Sequence, residues 1–174
     1  MKNVEIKARC ENPSAVEKIL LENGADFKGV DKQTDTYFNV AKGRLKLRRG
    51  NIENSLIYYD RPNKKGPKRS DFYLFKTSNL QEIKPLLDNA LGVLVEVVKK
   101  RKIFYIDFVK FHIDEIEGLG HFVEIEAGDL DDTKDIEQLR EACDYYMKLL
   151  GIKEENLVNM SYSDMLLSKK RVSK

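Results

Sequence analysis

The chain has 174 residues, of which 41% are hydrophobic and 34% are charged, so it is long enough for one globular domain with its own core. Its 31 lysines and arginines stand against 29 aspartates and glutamates, and the net charge of +2 excludes the strongly basic composition of proteins that bind nucleic acid non-specifically. No apolar run reaches the ~18 residues of a membrane span and no N-terminal signal stretch is present, so we expect a cytoplasmic protein that binds neither nucleic acid nor membranes.

The first half of the chain predicts one helix and five strands. Residues 2–10 alternate apolar and polar side chains with the period of a β-strand. Asn12 and Pro13 are typical of a helix start, and Gly24 predicts where that helix ends. Four further strands are predicted at residues 28–40, 43–49, 55–61 and 70–76, and their short connections favour antiparallel pairing.

The second half predicts a helix, a second run of strands and two further helices. The first helix extends from Asn79 to Gly92, and Pro85 within it predicts either a kink or a later start. Strands are predicted at 93–100, 102–108, 109–116 and 121–128, a long helix at 133–150 and a short helix at 163–167. We therefore expect an α+β fold rich in antiparallel sheet, with a single domain over residues 1–168 and a frayed basic tail at 169–174.

Several of these strands carry charged side chains on one face and apolar side chains on the other. The charged positions are Glu5, Lys7 and Arg9; Arg44, Lys46 and Arg48; Lys99 and Arg101; Lys110, His112 and Asp114; and Glu124 and Glu126. One interpretation is an ordinary antiparallel sheet whose charged face lies in water. The other is a sheet that closes into a barrel, because helices with apolar stripes must cover its apolar face. Five such strands together favour the barrel, with its charged faces around a lumen.

A charged lumen predicts a ligand, because buried charges of both signs are costly unless partners or ligands satisfy them. The carboxylates Glu5, Glu124 and Glu126 suit a hard divalent cation, Mg²⁺ or Mn²⁺, which takes oxygen ligands. Lysines and arginines elsewhere in the lumen suit phosphate groups. This combination is typical of phosphoryl or nucleotidyl transfer.

A series of short motifs resembles the CYTH, or triphosphate tunnel metalloenzyme, superfamily, and is most similar to its class IV adenylyl cyclase branch. The matches are Asn3-Val4-Glu5-Ile6-Lys7, where the family has Glu-x-Glu-x-Lys; Leu45-Lys46-Leu47-Arg48; Asp60-Arg61-Pro62 with Gly66-Pro67 and Arg69; Lys99-Lys100-Arg101; Asp114; Gly118-Leu119-Gly120-His121-Phe122-Val123-Glu124-Ile125-Glu126; and Ser161-Tyr162. Their order and spacing cover about residues 3–167. The sequence departs from the family at Asn3, which stands in the place of its first glutamate.

The resemblance implies a closed, eight-stranded antiparallel β-barrel, a tunnel with helices packed outside, that binds Mg²⁺ or Mn²⁺ and a triphosphate. Glu5, Glu124 and Glu126 would hold the metal. The substrate-binding candidates are Lys7, Arg9, Lys46, Arg48, Arg61, Arg69, Lys99, Arg101 and His112, and the catalytic candidates are Lys7, Arg101 and Asp114. His112 shares a strand face with Asp114, so it either contacts the substrate or is a structural histidine.

Three functions are compatible with such a tunnel. The first is a cyclase that converts ATP to cyclic AMP and pyrophosphate, which the resemblance favours. The second is a hydrolase of tripolyphosphate, thiamine triphosphate or a nucleoside triphosphate. The third is a non-catalytic module that binds triphosphates, suggested by Asn3 because an amide brings no negative charge to a metal site. A homodimer is implied by the resemblance alone.

Overall fold

The computed structural model describes residues 2–60, 66–129 and 133–172, and these form the predicted α+β fold, with eight strands and four helices. In chain order the elements are β1 (Lys2–Arg9), α1 (Pro13–Glu22), β2 (Asp26–Phe38), β3 (Arg44–Arg49), β4 (Ser55–Asp60), β5 (Lys68–Lys76), α2 (Leu80–Leu91), β6 (Val93–Ile106), β7 (Val109–Ile116), β8 (Gly120–Asp129), α3 (Ile136–Leu149), a 3₁₀ turn (Glu154–Asn156) and α4 (Tyr162–Val172).

The strands form one strongly curled, antiparallel sheet in the order β1-β5-β4-β3-β2-β6-β7-β8. The pairing continues from β8 back to β1, with Lys2 opposite Asp129 at one end and Arg9 opposite Phe122 at the other. Each strand therefore has two antiparallel neighbours. Because side chains alternate along a strand, this barrel-like sheet turns one face of every strand towards a shared interior.

Three helices cover the apolar outer face of the sheet and so determine which face points inward. Val4, Ile6 and Ala8 of β1 are at most 1% exposed and belong to one core cluster with Leu20 of α1 and Leu139 of α3. α2 covers a separate apolar cluster on the β2–β3 side. Since burial of apolar area is the main source of stability, this arrangement leaves the charged face for the interior.

The last helix, α4, closes off part of the interior by packing against residues from several strands. Tyr162 is 4% exposed and clusters with Tyr37 of β2, Tyr59 of β4 and Phe122 of β8. The Phe122 and Tyr162 rings meet edge to face, 5.0 Å between centroids, a favourable aromatic geometry. The Tyr162 end of α4 thus lies among the inward-facing side chains of the sheet.

Two predicted strands, 93–100 and 102–108, prove to be one. β6 runs without interruption from Val93 to Ile106 and pairs with β2 on one side and β7 on the other. Across the predicted break, the side chains of Lys99, Lys100, Arg101 and Lys102 alternate between the inside and the outside of the sheet. The prediction of a break was therefore wrong.

The predicted boundaries of two helices also need correction, whereas α2 has Asn79 and Gly92 at its ends as predicted, with Pro85 inside it and no later start. α3 begins at Ile136, later than predicted, because Asp135 and Gln138 form a reciprocal capping box. α4 continues to Val172, so residues 169–172 of the expected frayed tail are helical, while 173–174 lie outside the described residues. In the described parts of the chain, no helix combines the length and apolarity needed to cross a membrane.

Candidate functional site

The interior of the sheet contains a cavity of about 980 Å³. The charged residues that line it are Glu5, Lys7, Lys46, Arg48, Glu53, Lys76, Lys99, Arg101, Asp107, Lys110, Glu124, Glu126 and Lys134. Eight of these described side chains are cationic and five are carboxylates. On the surface of the cavity cations outnumber carboxylates, although the buried carboxylates Asp35 and Asp114 lie directly behind them, and an anion is the ligand that this surface favours.

One part of the cavity wall consists of three cations around a single carboxylate, Asp35. Lys46 Nζ lies 3.0 Å and Lys99 Nζ 2.9 Å from Asp35 Oδ2, and Arg48 donates through two nitrogens at 2.9 and 3.0 Å. Burial alone would raise the pKa of Asp35, but the charges of Arg48, Lys46 and Lys99 hold it well below its usual range. Asp35 neutralises only one of these three positive charges. The positive charge that is left over is available to phosphate oxygens.

Lys99 carries the clearest sign of unsatisfied positive charge. Burial, and then repulsion from Arg101, lower the pKa of Lys99 to about 7, although Asp35 opposes this shift. A lysine that is half neutral near physiological pH can recover its proton when an anion approaches. The site is therefore poised to gain charge as an anionic ligand binds.

A second group surrounds Glu124 on the adjoining part of the wall. Glu124 contacts Lys7 Nζ at 3.0 Å, Arg101 at 2.7 Å and His112 Nδ1 at 3.3 Å. Burial would raise the pKa of Glu124, but the charges of Lys7 and Arg101 hold it well below the usual range. Glu126 lies directly across the β1–β8 pair from Glu5, and it lines the same cavity. The carboxylates therefore form an ionised group next to the cationic one.

Arg101 joins this wall to α4. Its guanidinium donates to both oxygens of Asp114, at 2.7 and 2.5 Å, and the Tyr162 hydroxyl donates to the same carboxylate at 2.8 Å. Lys7 Nζ lies 3.8 Å from the centre of the Tyr162 ring, within cation–π range. Asp114 is fully buried behind Arg101, so it positions the guanidinium instead of reaching the cavity itself.

The structure adds three acidic residues that the sequence did not single out: Asp35, described above, Glu53 and Asp31. Glu53 accepts from Arg48 at 2.9 Å and pairs with Lys110. Asp31, fully buried, accepts backbone N–H groups of Asn51, Ile52 and Glu53 at 2.7 to 3.0 Å and so holds the turn that carries Glu53. Asp31, Gln33 and Asp35 lie on one face of the strand predicted at 28–40. This period-two pattern of polar residues was the signal that could have identified Asp31 and Asp35.

Most of the predicted site residues come together. Glu5, Lys7, Lys46, Arg48, Lys99, Arg101, Glu124 and Glu126 line the cavity, while His112 and Asp114 are buried directly behind this lining. Arg9, the last residue of β1, is instead exposed, and it reaches Leu119 O at 3.5 Å and the Phe122 ring. Arg61 lies outside the described residues, as does the side chain of Arg69.

One corner of the cavity has the chemistry of a cation site. His112, Glu124 and Glu126 each offer a ligand atom, and these atoms lie within 4.8 Å of one another. Among the described residues, Asn3 Oδ1 and His112 Nε2 are buried polar atoms without a hydrogen-bond partner. Carboxylate, amide and imidazole groups are all ligands for divalent cations. The residues present therefore fit a divalent metal ion.

Aromatic side chains line another part of the cavity. Tyr105, at the end of β6, and Phe108 both belong to the lining. Lys110 Nζ lies 5.8 Å from the Tyr105 ring centre and Lys134 Nζ 4.7 Å from that of Phe108. These rings offer flat apolar faces beside positive charge, an arrangement that suits a nucleobase.

Comparison with known proteins identifies a family and a fold. The CYTH domain matches residues 1–162. A Methanocaldococcus jannaschii protein named "putative adenylate cyclase" is 25% identical over 173 residues, or 95% of this chain and 98% of that protein. The structure of a Pyrococcus horikoshii protein superposes with a TM-score of 0.81 at 23% identity, covering 93% of this chain and 98% of the other. A Hippeastrum protein, described as a "putative adenylyl cyclase" with a dominant triphosphatase activity, has a TM-score of 0.60 at 17% identity, with coverage of 97% and 95%.

Proposed function

This chain belongs to the CYTH domain family, and from that premise we propose that it is a divalent-metal-dependent enzyme that binds a nucleoside triphosphate inside a closed tunnel. The activity proposed is that of an adenylyl cyclase. The ring of strand pairings, in which β8 returns to β1, supports the tunnel. The M. jannaschii relative named "putative adenylate cyclase" supports the reaction.

The observation that carries this proposal is the cluster of Lys46, Arg48 and Lys99 around Asp35, next to the Glu124 group. A triphosphate carries several negative charges at neutral pH, and it can replace Asp35 as the partner of these three cations. Arg48 can bind two phosphate oxygens at once, whereas the two lysines act as point charges. The cationic cluster therefore suits a polyphosphate better than a single phosphate group.

Lys7 and Arg101 act where the two groups meet. Both contact Glu124, at 3.0 and 2.7 Å, and both line the cavity. We assign them to the phosphate at which the reaction occurs, where they stabilise negative charge that develops on its oxygens. Asp114 and Tyr162 hold Arg101 in place, so Asp114 is a positioning residue and not one that touches the substrate.

The carboxylates Glu124 and Glu126, with Glu5 across the strand pair, would hold the metal. A divalent cation bound there supplies charge neutralisation for the phosphate oxygens. The ionised state of Glu124, maintained by Lys7 and Arg101, keeps these ligands ready for a cation at neutral pH.

The aromatic residues favour a nucleotide over an inorganic polyphosphate. Tyr105 follows Arg101 by four residues on β6, a distance of about 13 Å along the strand. This separation suits a ribose and base that extend from a triphosphate held at Arg101. In the cyclase reaction the ribose 3′ oxygen forms a bond to the α-phosphorus, its proton leaves, and the bond to the β-phosphate breaks to release pyrophosphate.

Hydrolysis of the same triphosphates is the second candidate. The cavity of about 980 Å³ leaves room for water beside a bound triphosphate, and the Hippeastrum protein is described with a dominant triphosphatase activity. The two reactions use the same phosphate and metal groups, but they differ in the attacking oxygen and in the phosphorus that it attacks. The ribose 3′ oxygen attacks the α-phosphorus in the cyclase, whereas water attacks the terminal phosphorus in a hydrolase that releases orthophosphate. Binding without turnover would instead correspond to a non-catalytic module.

A product assay separates these functions. Purified protein with Mg²⁺ or Mn²⁺ is incubated in parallel with ATP, tripolyphosphate and thiamine triphosphate, and the products are resolved chromatographically. Cyclic AMP with pyrophosphate is the expected result, and orthophosphate release would favour the hydrolase. Glu124→Gln, which removes charge without changing volume, should abolish metal-dependent turnover. Unchanged turnover in that variant would refute the metal assignment.

A further inference from the structure

His112 occupies a fixed position within the carboxylate group. It lies directly opposite Glu124 in the β7–β8 pairing, is 1% exposed, and places Nδ1 3.3 Å from Glu124 Oε2 and 3.7 Å from Glu126 Oε1. The imidazole cannot swing into solvent without leaving this pocket. It is thus part of the same ligand set as the two carboxylates.

The hydrogen bonding of His112 is incomplete. Nδ1 is within 3.7 Å of an oxygen of each carboxylate, whereas Nε2 is buried with no partner among the described residues. Because Nδ1 is the nitrogen that faces both carboxylates, it is the atom that a cation shared with Glu124 and Glu126 would contact.

An unsatisfied acceptor lines the cavity near these carboxylates. Asn3 Oδ1 is buried without a partner among the described residues, and Asn3 lies two residues from Glu5 on the inward face of β1. An acceptor that lacks a donor beside a group of carboxylates indicates a cation, since a cation satisfies the acceptor and the carboxylates together.

We propose that His112 is a metal ligand together with Glu124 and Glu126, and that its nitrogen makes this site select Mn²⁺ or Co²⁺ over Mg²⁺. This inference rests on the proposed function, in which the same carboxylates bind a divalent cation. Mg²⁺ prefers oxygen ligands in a strict octahedron, whereas imidazole nitrogen binds later first-row ions more strongly. Asn3 offers an oxygen without negative charge, so the imidazole of His112 is the group that strengthens metal binding at this site.

Pulsed electron paramagnetic resonance of Mn²⁺ bound to the full chain tests this ligand directly, in the absence of nucleotide. The wild-type protein should show nitrogen coupling to Mn²⁺, and incorporation of ¹⁵N-histidine should convert the ¹⁴N signal to a ¹⁵N signal. Mn²⁺ binding without such coupling would overturn the inference and leave the proposed function standing. A failure to bind any divalent cation would overturn both.

Calorimetry with the metal ions alone tests the selectivity. His112→Gln should weaken Mn²⁺ binding at least tenfold while changing Mg²⁺ binding by less than about twofold, because Mg²⁺ gains little from nitrogen. His121→Gln is the matched control, since His121 is exposed at the start of β8, and it should leave both affinities unchanged. Equal losses for the two ions in His112→Gln would contradict the inference, and the spectroscopic result decides it even if this variant does not fold.

Discussion

Lys99 and Lys100 are neighbours on β6 that face opposite sides of the sheet. Lys99 is 4% exposed and contacts Asp35 at 2.9 Å, whereas Lys100 lies on the exposed outer face. Their different surroundings result from strand alternation alone. Replacing each lysine in turn therefore compares the loss of a lysine inside the cavity with the loss of a lysine on the outer surface.

We predict that Lys99→Met weakens tripolyphosphate binding at least tenfold, whereas Lys100→Met changes it by less than about twofold. The reason is that only Lys99 can donate charge to a ligand in the cavity. Titration calorimetry of both variants against the wild type measures the effect. Similar losses for both variants would indicate a binding site on the outer surface.

The depressed pKa of Lys99 predicts how triphosphate binding depends on pH. Because this pKa is about 7 in the free protein and a bound polyanion raises it, Lys99 takes up a proton on binding at higher pH. Affinity should thus fall as pH rises above this value, by up to about tenfold per unit. Calorimetry at about one pH unit above the pKa of Lys99, in two buffers of different ionisation enthalpy, measures the proton uptake. Lys99→Met should remove this uptake, whereas Lys100→Met should retain it.

Strand alternation predicted which single residues enter the cavity, but not what they contact there. Lys46, Arg48, Glu124 and Glu126 were all assigned correctly to the inner face. Asp114, a catalytic candidate, is paired with Arg101 and Tyr162. The partner of a side chain depends on strand register and on α4, and neither can be read from a local pattern.

At the scale of elements, the turn between β3 and β4 depends on a close contact between Asp31 and Gly50. Three backbone N–H groups of this turn donate to Asp31, and a Cβ at Gly50 would lie 2.4 Å from Asp31 Oδ1. Position 50 therefore has room only for glycine. The same turn also holds Glu53 against Arg48 and Lys110.

We predict that Gly50→Ala and Asp31→Ala each destabilise the protein, by about 2 and about 3 kcal/mol, and that their effects are not additive. In the Asp31→Ala background the clash is absent, so Gly50→Ala should cost at least ~1 kcal/mol less than in the wild type. Urea unfolding of the two single variants and the double variant measures this coupling. Additive losses would show that the contact does not determine the turn.

We also predict that the hydroxyl of Tyr162 contributes to the docking of α4. Tyr162→Phe removes one hydrogen bond to Asp114 while Arg101 keeps that carboxylate paired, so the expected loss is about 1 kcal/mol in the free energy of unfolding. Urea unfolding measures it. No loss would mean that α4 is held by its apolar contacts and by the Arg44–Asp164 pair alone.

The sequence predicted the number and type of most elements, and it failed where tertiary contacts override local pattern. Two strands were predicted where β6 is continuous, and alternate residues of its basic run find partners inside the cavity. α4 extends beyond its prediction because Lys169, Lys170 and Arg171 suit the end of a helix. Long-range contacts therefore account for β6, whereas local end effects account for the helix boundaries.

At the scale of the whole molecule, the curled sheet places charged side chains around one cavity, with more cations than carboxylates on the cavity surface. This charge opposes folding when the cavity holds no anion, because like charges repel in a poorly screened interior. A ligand that binds only the folded chain stabilises it by mass action. Ligand binding and stability should therefore be linked.

We predict that tripolyphosphate with Mn²⁺ raises the melting temperature in a concentration-dependent manner, corresponding to about 2.7 kcal/mol at a hundredfold excess over Kd. Adenosine, which carries no phosphate, should produce a much smaller shift. Differential scanning fluorimetry measures both. A rise of equal size with adenosine would show that the phosphates do not account for binding.

The central claim is that charged strand faces around one cavity bind a triphosphate and a divalent metal ion. A crystal structure of the protein with Mn²⁺ and a non-hydrolysable ATP analogue tests it most directly. Anomalous scattering should place Mn²⁺ at Glu124 and Glu126, with the phosphates contacting Lys46, Arg48 and Lys99. An analogue bound outside the sheet, or a cavity that excludes both ligands at saturating concentration, would contradict the account.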